Sequence, residues 1–298
     1  MMNTKAIVTL AVGESFKSHW EKVCRKNWET YAKKHGCDLI VIDHSLDDSE
    51  KALRRSPAWQ KCLILNDSAV RNYDQVAWID CDILFNPAAP DVFHDVPLEK
   101  VGAVNSFSDP TSEENQVALQ RFWNIHRSVS NIAALGEYEK PEDVYLQYGP
   151  PVEPLSAMLN AGVLVASPKH HAEVWRFVYE NYDDRGQHTY YENVPLSYEL
   201  IKGDWIHWLD PKFNHIWAWS KMLHYPFLQE SSPRTLADKI LRRVATWSGN
   251  NYERRVSVLC ATSALLNCHF LHFAGCPKEM ELVDLEMAGR GGVRNLGV

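Results

Sequence analysis

Two aspartates separated by one cysteine, Asp80 and Asp82, have the types and spacing that most clearly suggest chemistry. They lie between the apolar segments 76–79 and 83–85, and side chains two positions apart in a strand point to the same side. Carboxylates this close repel each other unless a cation lies between them, and hard divalent cations keep positions free for phosphate oxygens. The pair therefore predicts a metal–diphosphate site, with a solvated turn after a strand as the alternative.

A histidine near the C-terminus, His272, is the candidate for a third ligand. It lies in a short apolar segment, 271–274, that is followed by Gly275. Imidazole is a common metal ligand and suits Mn²⁺, the cation we expect, although Mg²⁺ is the alternative. A single histidine between aromatic residues is more often a hydrogen-bonded core residue, so its assignment as a ligand depends on Asp80 and Asp82.

Alternating strands and helices must position these residues. The first half of the sequence has apolar segments typical of buried strands at 6–12, 38–43, 75–80 and 101–105, and helical segments at 15–35 and from 57 onward. Such alternation forms parallel βαβ units. The sequence thus predicts an α/β, Rossmann-like fold with a mostly parallel central sheet flanked by helices. Ligands bind at the carboxyl ends of such strands, which is where Asp80 lies.

The second half is less regular. Helices are predicted at 113–127, 168–182 and 191–202, with Ser167 as an N-cap, strands at 161–166, 205–209 and 269–273, and a loop at 128–154. The polar, arginine-rich segment 230–262 has helical character and predicts a C-terminal helical elaboration.

Composition limits the classes of function. The 298 residues include 31 Lys+Arg and 38 Asp+Glu, a net charge of −7, and this mild acidity argues against a nucleic-acid partner. No apolar run approaches the ~18 residues of a transmembrane helix. The seven cysteines form no CxxC pair, which fits free thiols in the cytoplasm. No pattern indicates an oligomeric state.

Five segments carry a family resemblance in their order along the chain: 57–61, 76–82, 160–164, 211–214 and 272–276. Together they resemble the GT-A-fold nucleotide-sugar glycosyltransferases. They are most similar to the retaining α-galactosyl and xylosyl transferases of the fungal and plant Golgi, with the glycogenin-like family next. The resemblance implies one catalytic domain over 1–298, with a nucleotide-binding half at 1–105 and a half for acceptor and donor sugar at 155–277.

The resemblance also implies site residues. Asp80, Asp82 and His272 would hold Mn²⁺ against the donor diphosphate. The residues implied to bind the donor are Thr9, Ala11, Gly13, Asp43, Lys61, Asn160, Ala161, Gly162 and Gly275. Glu192 and Asn193 would lie beside the anomeric carbon as catalytic residues.

The implied reaction transfers a sugar from a nucleotide-sugar, a UDP-sugar, to a glycan, a lipid-linked acceptor or another hydroxyl, with retention of anomeric configuration. Retention can proceed by double displacement through a carboxylate such as Glu192, or by front-face attack in which the departing phosphate takes the acceptor's proton. The sequence leaves both routes open and favours the second. The Golgi enzymes carry an N-terminal anchor, whereas this sequence opens on the first strand, so we expect a cytoplasmic enzyme.

Other functions are compatible with the aspartate pair. A metal-dependent phosphohydrolase of the haloacid dehalogenase type also uses Asp-x-Asp, but it needs a Gly and a Thr or Val just after the motif, where this sequence has Ile83 and Leu84. A nucleotidyltransferase would usually carry a glycine-rich phosphate loop after the first strand, and a sugar-binding module has no need of the metal ligands.

The aromatic residues Trp208, Trp217, Trp219 and Tyr225 form either core or an acceptor platform. The basic residues Arg234, Lys239, Arg242, Arg243, Arg254 and Arg255 form a solvated helix face, a lid, or a patch that contacts an anionic membrane peripherally.

Overall fold

The structure is a computed structural model that describes residues 4–125, 140–149, 153–184, 190–228, 243 and 252–290. Its strands are β1 Lys5–Leu10, β2 Asp38–Ile42, β3 Gln75–Ile79, β4 Ile83–Phe85, β5 Val101–Asn105, β6 Leu159–Ala166, β7 Ile206–Trp208, β8 His215–Ile216 and β9 Phe270–His272. Each predicted strand is present, with bounds within two residues of the expected ones.

The central sheet has six strands among the described residues, in the order β2-β1-β3-β6-β5-β7. β6 runs antiparallel to both of its neighbours, and the other pairs are parallel. The sheet is therefore mostly parallel, as predicted, and one reversed strand lies at its centre.

Helices flank the sheet. They are α1 Glu14–Val23, α2 Arg25–His35, α3 Glu50–Leu53, α4 Ser112–Ile125, α5 Pro141–Tyr148, α6 Pro168–Asn181, α7 Asn193–Lys202, α8 Trp217–Leu223, α9 Tyr252–Asn267 and α10 Leu285–Gly289. Short 3-10 helices occupy Pro57–Asn66, Pro211–Asn214, Pro226–Leu228 and Pro277–Leu282. None of the helices in these ranges combines the length and apolar character needed to cross a bilayer.

Successive residues of the central strands pack on opposite faces of the sheet. Ile7 belongs to one apolar cluster while its neighbours Ala6 and Val8 belong to another. In β3, Ala77 and Trp78 are divided in the same way. A strand buried on both faces needs apolar residues at every position, which explains the continuous apolar segments.

Two of the predicted helix and loop segments differ in the structure. The segment 128–154, predicted as a loop, contains α5, because Pro141 suits a first helical turn and Val144 and Tyr145 are buried in a cluster with residues of α7. The single helix predicted over 15–35 is two helices that meet at Cys24. Ser167 is the N-cap residue of α6, as predicted, although its side chain makes no capping hydrogen bond.

The turn between β3 and β4 corrects the argument from strand geometry. β3 ends at Ile79, and the chain turns at Cys81 and Asp82 before β4 begins. The two aspartates therefore share a turn between two strands rather than one face of a single strand. Their approach to each other depends on the segments that pack around this turn.

A second sheet of three strands, in the order β4-β9-β8, completes the frame. Ile83 pairs with His272 across the antiparallel β4–β9 ladder, and Ile216 pairs with His272 on the other side. Because Ile83 directly follows Asp82, this register places the C-terminal histidine beside the aspartate turn.

Candidate metal centre and substrate cavity

Three side chains converge at the carboxyl end of β3. One oxygen each of Asp80 and Asp82 and one ring nitrogen of His272 lie within 4.8 Å of one another. His272 Nε2 is 3.2 Å from Asp82 Oδ1 and 3.9 Å from Asp80 Oδ2. Two carboxylates and one imidazole form a donor set that suits Mn²⁺ and related divalent cations.

Backbone hydrogen bonds fix the turn that carries the aspartates. The Asp80 N–H donates to the carbonyl of Gly162 at 2.9 Å, and the Phe273 N–H donates to the carbonyl of Asp82 at 2.9 Å. The first bond ties the turn to β6, and the second ties it to the end of β9. Segments that are far apart in the sequence thus set the separation of the ligands.

Asn214 orients the histidine. Its buried side chain lies 2.8 Å from His272, Oδ1 to Nδ1, so Nδ1 carries the proton and donates. Nε2 then faces the two aspartates, and in the neutral imidazole it offers its lone pair to a cation. A ligating histidine usually donates its other ring N–H to such an oxygen, which fixes both tautomer and ring orientation. The arrangement therefore fits a metal ligand better than a core histidine.

One oxygen of Asp80 is held from the opposite side. The Trp78 indole N–H donates to Asp80 Oδ1 at 2.8 Å, and Lys61 Nζ lies 3.2 Å from the same atom. These contacts leave Oδ2 as the oxygen that faces His272. Asp80 is thus oriented with one oxygen available to a cation.

Gly162 makes room for the imidazole. A Cβ at this position would lie 2.6 Å from His272 Cε1 and 2.8 Å from Nδ1. Contacts below about 3.5 Å between carbon atoms are repulsive. The absence of a side chain at Gly162 therefore permits the approach of His272.

The charges of the centre are coupled. Burial opposes ionisation of Asp82, but His272, a backbone hydrogen bond and Lys61 together outweigh burial and hold the pKa of Asp82 below its ordinary value. Burial likewise opposes protonation of His272, but the carboxylates of Asp82 and Asp80 together outweigh burial and raise the pKa of the imidazole. A bound cation would compete with this proton, since metal ligation requires neutral imidazole.

Lys61 is buried and has three acceptors. Its Nζ donates to Glu192 Oε1 at 2.8 Å and to the Ala161 carbonyl at 2.9 Å, besides the contact with Asp80. Burial would lower the pKa of Lys61, but the carboxylates of Asp80 and Glu192 outweigh burial and raise it. Because its three donors are engaged, Lys61 orients the two carboxylates and does not present a free ammonium group to a phosphate.

Glu192 and Asn193 begin α7 beside this cluster. Asn193 Oδ1 accepts from the Ala161 N–H at 2.8 Å. Tyr190, just before them, has a φ of 68°, which is unusual for a residue other than glycine. Residues with strained backbone conformations of this kind are concentrated at functional sites.

These groups open into a cavity of about 670 Å³, a volume within the usual range of small-molecule sites. The sequence-predicted residues that line it are Lys61, Asp80, Asp82, Asn160, Ala161, Gly162, Glu192, Asn193, His272 and Gly275. Gly275, with a φ of 73°, adopts a left-handed conformation at the cavity edge. The structure therefore brings these residues to one site.

Four predicted residues lie elsewhere. Thr9 and Ala11 are buried within the fold, and Gly13 begins α1 with a φ of 93°. Asp43 is exposed and pairs with Lys17 at 2.7 Å. From this end of β1, the cavity is lined instead by Leu10, Val12 and Phe16.

The aromatic residues divide between core and cavity. Trp217 is fully buried and donates to Glu279 Oε2 at 2.6 Å, and Tyr225 packs against it. Trp208 is exposed and lies away from the cavity, whereas Trp219 lines it. Of the basic cluster, Arg243, Arg254 and Arg255 are exposed, and Arg234, Lys239 and Arg242 lie outside the described residues.

Sequence reasoning missed further lining residues: Phe16, Phe107, Asn115, Tyr190 and Tyr191. No spacing or motif distinguishes them from core or surface residues. Phe107 and Asn115 also belong to a segment that the family resemblance does not cover.

Neither a protein-family model nor a curated protein matches the sequence. Solved structures similar to this chain include a glycosyltransferase involved in glycosylation of the major capsid of PBCV-1, with 13% identity, 94% of this chain and 100% of that chain covered, and a TM-score of 0.47. The galactosyltransferase LgtC, in complex with donor and acceptor sugar analogues, has 13% identity, coverage of 96% and 99%, and a TM-score of 0.44. Mouse xyloside xylosyltransferase 1 has 10% identity, coverage of 76% and 93%, and a TM-score of 0.37. At such distance these similarities do not assign a function, which depends on the chemistry of the site.

Proposed function

We propose that the protein is a metal-dependent GT-A glycosyltransferase. It transfers a sugar from a UDP-sugar to a hydroxyl of a glycan or other acceptor, with retention of anomeric configuration. The proposal rests on one observation: Asp80, Asp82 and His272 converge at the carboxyl end of β3, in the wall of a substrate-sized cavity.

Charge balance supports a divalent cation at this centre. Asp80, Asp82 and Glu192 contribute three carboxylates, and Lys61 contributes one ammonium group. With His272 neutral, the formal charge of the cluster is therefore −2. A diphosphate would be repelled by such a centre on its own. Mn²⁺ held by Asp80, Asp82 and His272 would supply the positive charge that stabilises the diphosphate leaving group.

The protein's own side chains prepare the centre. Asn214 keeps the Nε2 lone pair of His272 directed at the aspartates, and Trp78 and Lys61 hold the opposite oxygen of Asp80. Preorganised groups of this kind need no rearrangement when charge develops. We assign them to orientation rather than to bond making.

Glu192 bears on the choice between the two retaining routes. Lys61 donates to its carboxylate inside the protein, at a site nearly closed to water. An ion-paired carboxylate is a weaker nucleophile than a free one, so we favour front-face attack. In that route the departing phosphate oxygen accepts the proton of the acceptor hydroxyl, and Glu192 contributes negative charge beside the anomeric carbon.

The test is thermal unfolding of the purified protein with UDP, GDP, CDP or ADP, each with Mn²⁺, with Mg²⁺ or without metal. A ligand that binds the folded state raises Tm by mass action. We expect UDP to raise Tm when Mn²⁺ is present, and Asp82→Ala to abolish the increase. Asp48→Ala, which changes an exposed aspartate away from the cavity, is the matched control and should retain it.

The same preparation separates the alternatives. Metal-dependent release of UDP from UDP-sugars supports the proposal. Absence of any nucleotide effect with either metal would refute it. Turnover of p-nitrophenyl phosphate that depends on Asp80 would instead indicate a phosphohydrolase, and release of pyrophosphate from a nucleoside triphosphate would indicate a nucleotidyltransferase.

A further inference from the structure

The cavity extends to both sides of the metal ligands. The sheet order places β3, which Asp80 directly follows, next to β1, and places β5 beyond β6 on the other side. With neighbouring strands about 4.8 Å apart, the ends of β1 and β5 are separated by about 14 Å. One side of the cavity is lined by residues after β1 and the other by residues after β5. This span accommodates two substrates that meet beside Asp80.

The β5 side combines flat apolar groups with one unsatisfied polar atom. Phe107, two residues after β5, lines the cavity, as do Asn115 of α4 and Trp219 of α8, and α4 and α8 pack against each other. The amide oxygen of Asn115 is buried and has no hydrogen-bond partner among the described residues. A buried acceptor without a partner is costly, so it is expected to receive a hydrogen bond from a bound ligand.

A hydrogen-bonded chain fixes the segments that carry these groups. His215 donates from Nδ1 to Asp109 Oδ2 at 2.6 Å, and Nε2 accepts from the hydroxyl of Ser220. Asp109 follows Phe107 by two residues, and Ser220 follows Trp219 directly. Ser220 is buried, so this Ser–His–Asp arrangement has no access to a substrate. It instead links the segment that carries Phe107 to the segment that carries Trp219.

We infer that the β5 side of the cavity is the acceptor subsite and that its ligand is a sugar. The inference rests on the proposed function, and it selects a glycan over a lipid or peptide acceptor. A pyranose offers both features that the walls require. Its hydroxyl groups donate to Asn115 Oδ1, and its C–H face packs on the Trp219 ring. An acyl chain lacks the donor, and a serine side chain lacks the flat apolar face.

The experiment has two readouts on one set of variants. The first is UDP-sugar hydrolysis by water with Mn²⁺, which reports on the donor side alone. The second is transfer to a panel of methyl glucosides, methyl galactosides, maltose, cellobiose and lactose, with a Ser/Thr peptide and diacylglycerol vesicles as other hydroxyl classes. The variants are Asn115→Leu and Trp219→Leu. Their matched controls are Gln116→Leu, exposed on the same helix, and Trp208→Leu, an exposed tryptophan outside the cavity.

We expect at least one sugar to serve as acceptor. Asn115→Leu and Trp219→Leu should each raise KM for that sugar by about tenfold, the loss of one hydrogen bond or ring contact, and leave donor hydrolysis and the UDP-dependent rise in Tm unchanged. Gln116→Leu and Trp208→Leu should change neither readout. Unliganded Tm identifies any variant that fails to fold.

Two outcomes overturn the inference while the proposed function stands. One is donor hydrolysis without transfer to any sugar in the panel. The other is transfer to a sugar with a KM that neither variant changes. Absence of nucleotide binding and of donor hydrolysis in the wild-type protein refutes the proposed function itself, and the inference with it.

Discussion

Replacing Gly162 with alanine should selectively weaken the metal centre. The added methyl group would lie 2.6 Å from His272 Cε1, whereas comfortable carbon–carbon contacts are about 3.5–4.0 Å. The imidazole must therefore move by about 1 Å. Metal–ligand distances tolerate only about 0.2 Å, so His272 could not keep its position as a ligand together with both aspartates.

The expected loss of Mn²⁺ affinity is 10- to 100-fold, the range found when groups that orient a ligand are removed. That factor corresponds to about 1.4–2.8 kcal/mol. The fold itself should tolerate the change, because the backbone of Gly162 in β6 is not in the left-handed conformation that favours glycine. The assay is Mn²⁺ titration followed by electron paramagnetic resonance of the free ion, with unliganded Tm measured alongside.

Gly289→Ala is the matched control, since an added Cβ there meets no atom within 4 Å. It should bind Mn²⁺ like the wild type. Wild-type Mn²⁺ affinity in folded Gly162→Ala would refute the reasoning, because it would mean that His272 is not a ligand. Equal losses in both alanine variants would point to a nonspecific effect on the fold.

Three further predictions test other parts of the structure. Asn214→Leu should lower Mn²⁺ affinity by about 10- to 100-fold, and it should also lower Tm, because the buried Nδ1–H of His272 loses its acceptor. Unchanged affinity in the folded variant would show that the histidine needs no orienting acceptor. Glu192→Gln should retain measurable transfer if attack is front-face. Loss of all transfer in a folded variant that still binds the donor would instead favour double displacement. Lys61 keeps Asp80 as an ion-pair partner in this variant. Burial lowers the pKa of His171 from 6.5 to about 4, so the unfolded chain takes up this proton at a higher pH than the folded protein does. The free energy of unfolding should therefore fall by about 3 kcal/mol as the pH is lowered from above 6.5 to 4. Urea unfolding across this range should show a shallower loss for His171→Gln than for the wild type or for His170→Gln, and equal losses would contradict the assignment.

The parts of the fold that could be predicted are those that local pattern determines. Strands buried on both faces must be apolar at each position, so β1, β3 and β5 could each be predicted from one continuous apolar segment. Asp80 and Asp82 could be singled out as candidate metal ligands because carboxylates within an apolar run need a partner. His272 required a further step, since no local spacing links it to the aspartates and its assignment depended on them and on the resemblance in chain order.

The remaining features depend on contacts between distant segments. Lys61 meets Glu192 across 131 residues, and no local pattern reports that its ammonium group is fully engaged. Trp217 and Trp219 are similar in sequence context, yet one turns into the core and the other into the cavity, a choice made by the packing of α8. Asn115 has no signal at all until its oxygen is seen without a partner.

The charge of the centre predicts coupled binding of metal and nucleotide. A cluster of formal charge −2 repels a diphosphate and attracts a divalent cation, so each ligand should increase the affinity of the other. Linkage requires the two factors to be equal. The measurement is a Mn²⁺ titration with and without UDP, and a UDP titration with and without Mn²⁺, on the same preparation. We expect a coupling factor above tenfold, or about 1.4 kcal/mol, that falls in the variant Asp82→Asn. A factor near one would show that the nucleotide and the cation do not share the centre formed by Asp80, Asp82 and His272.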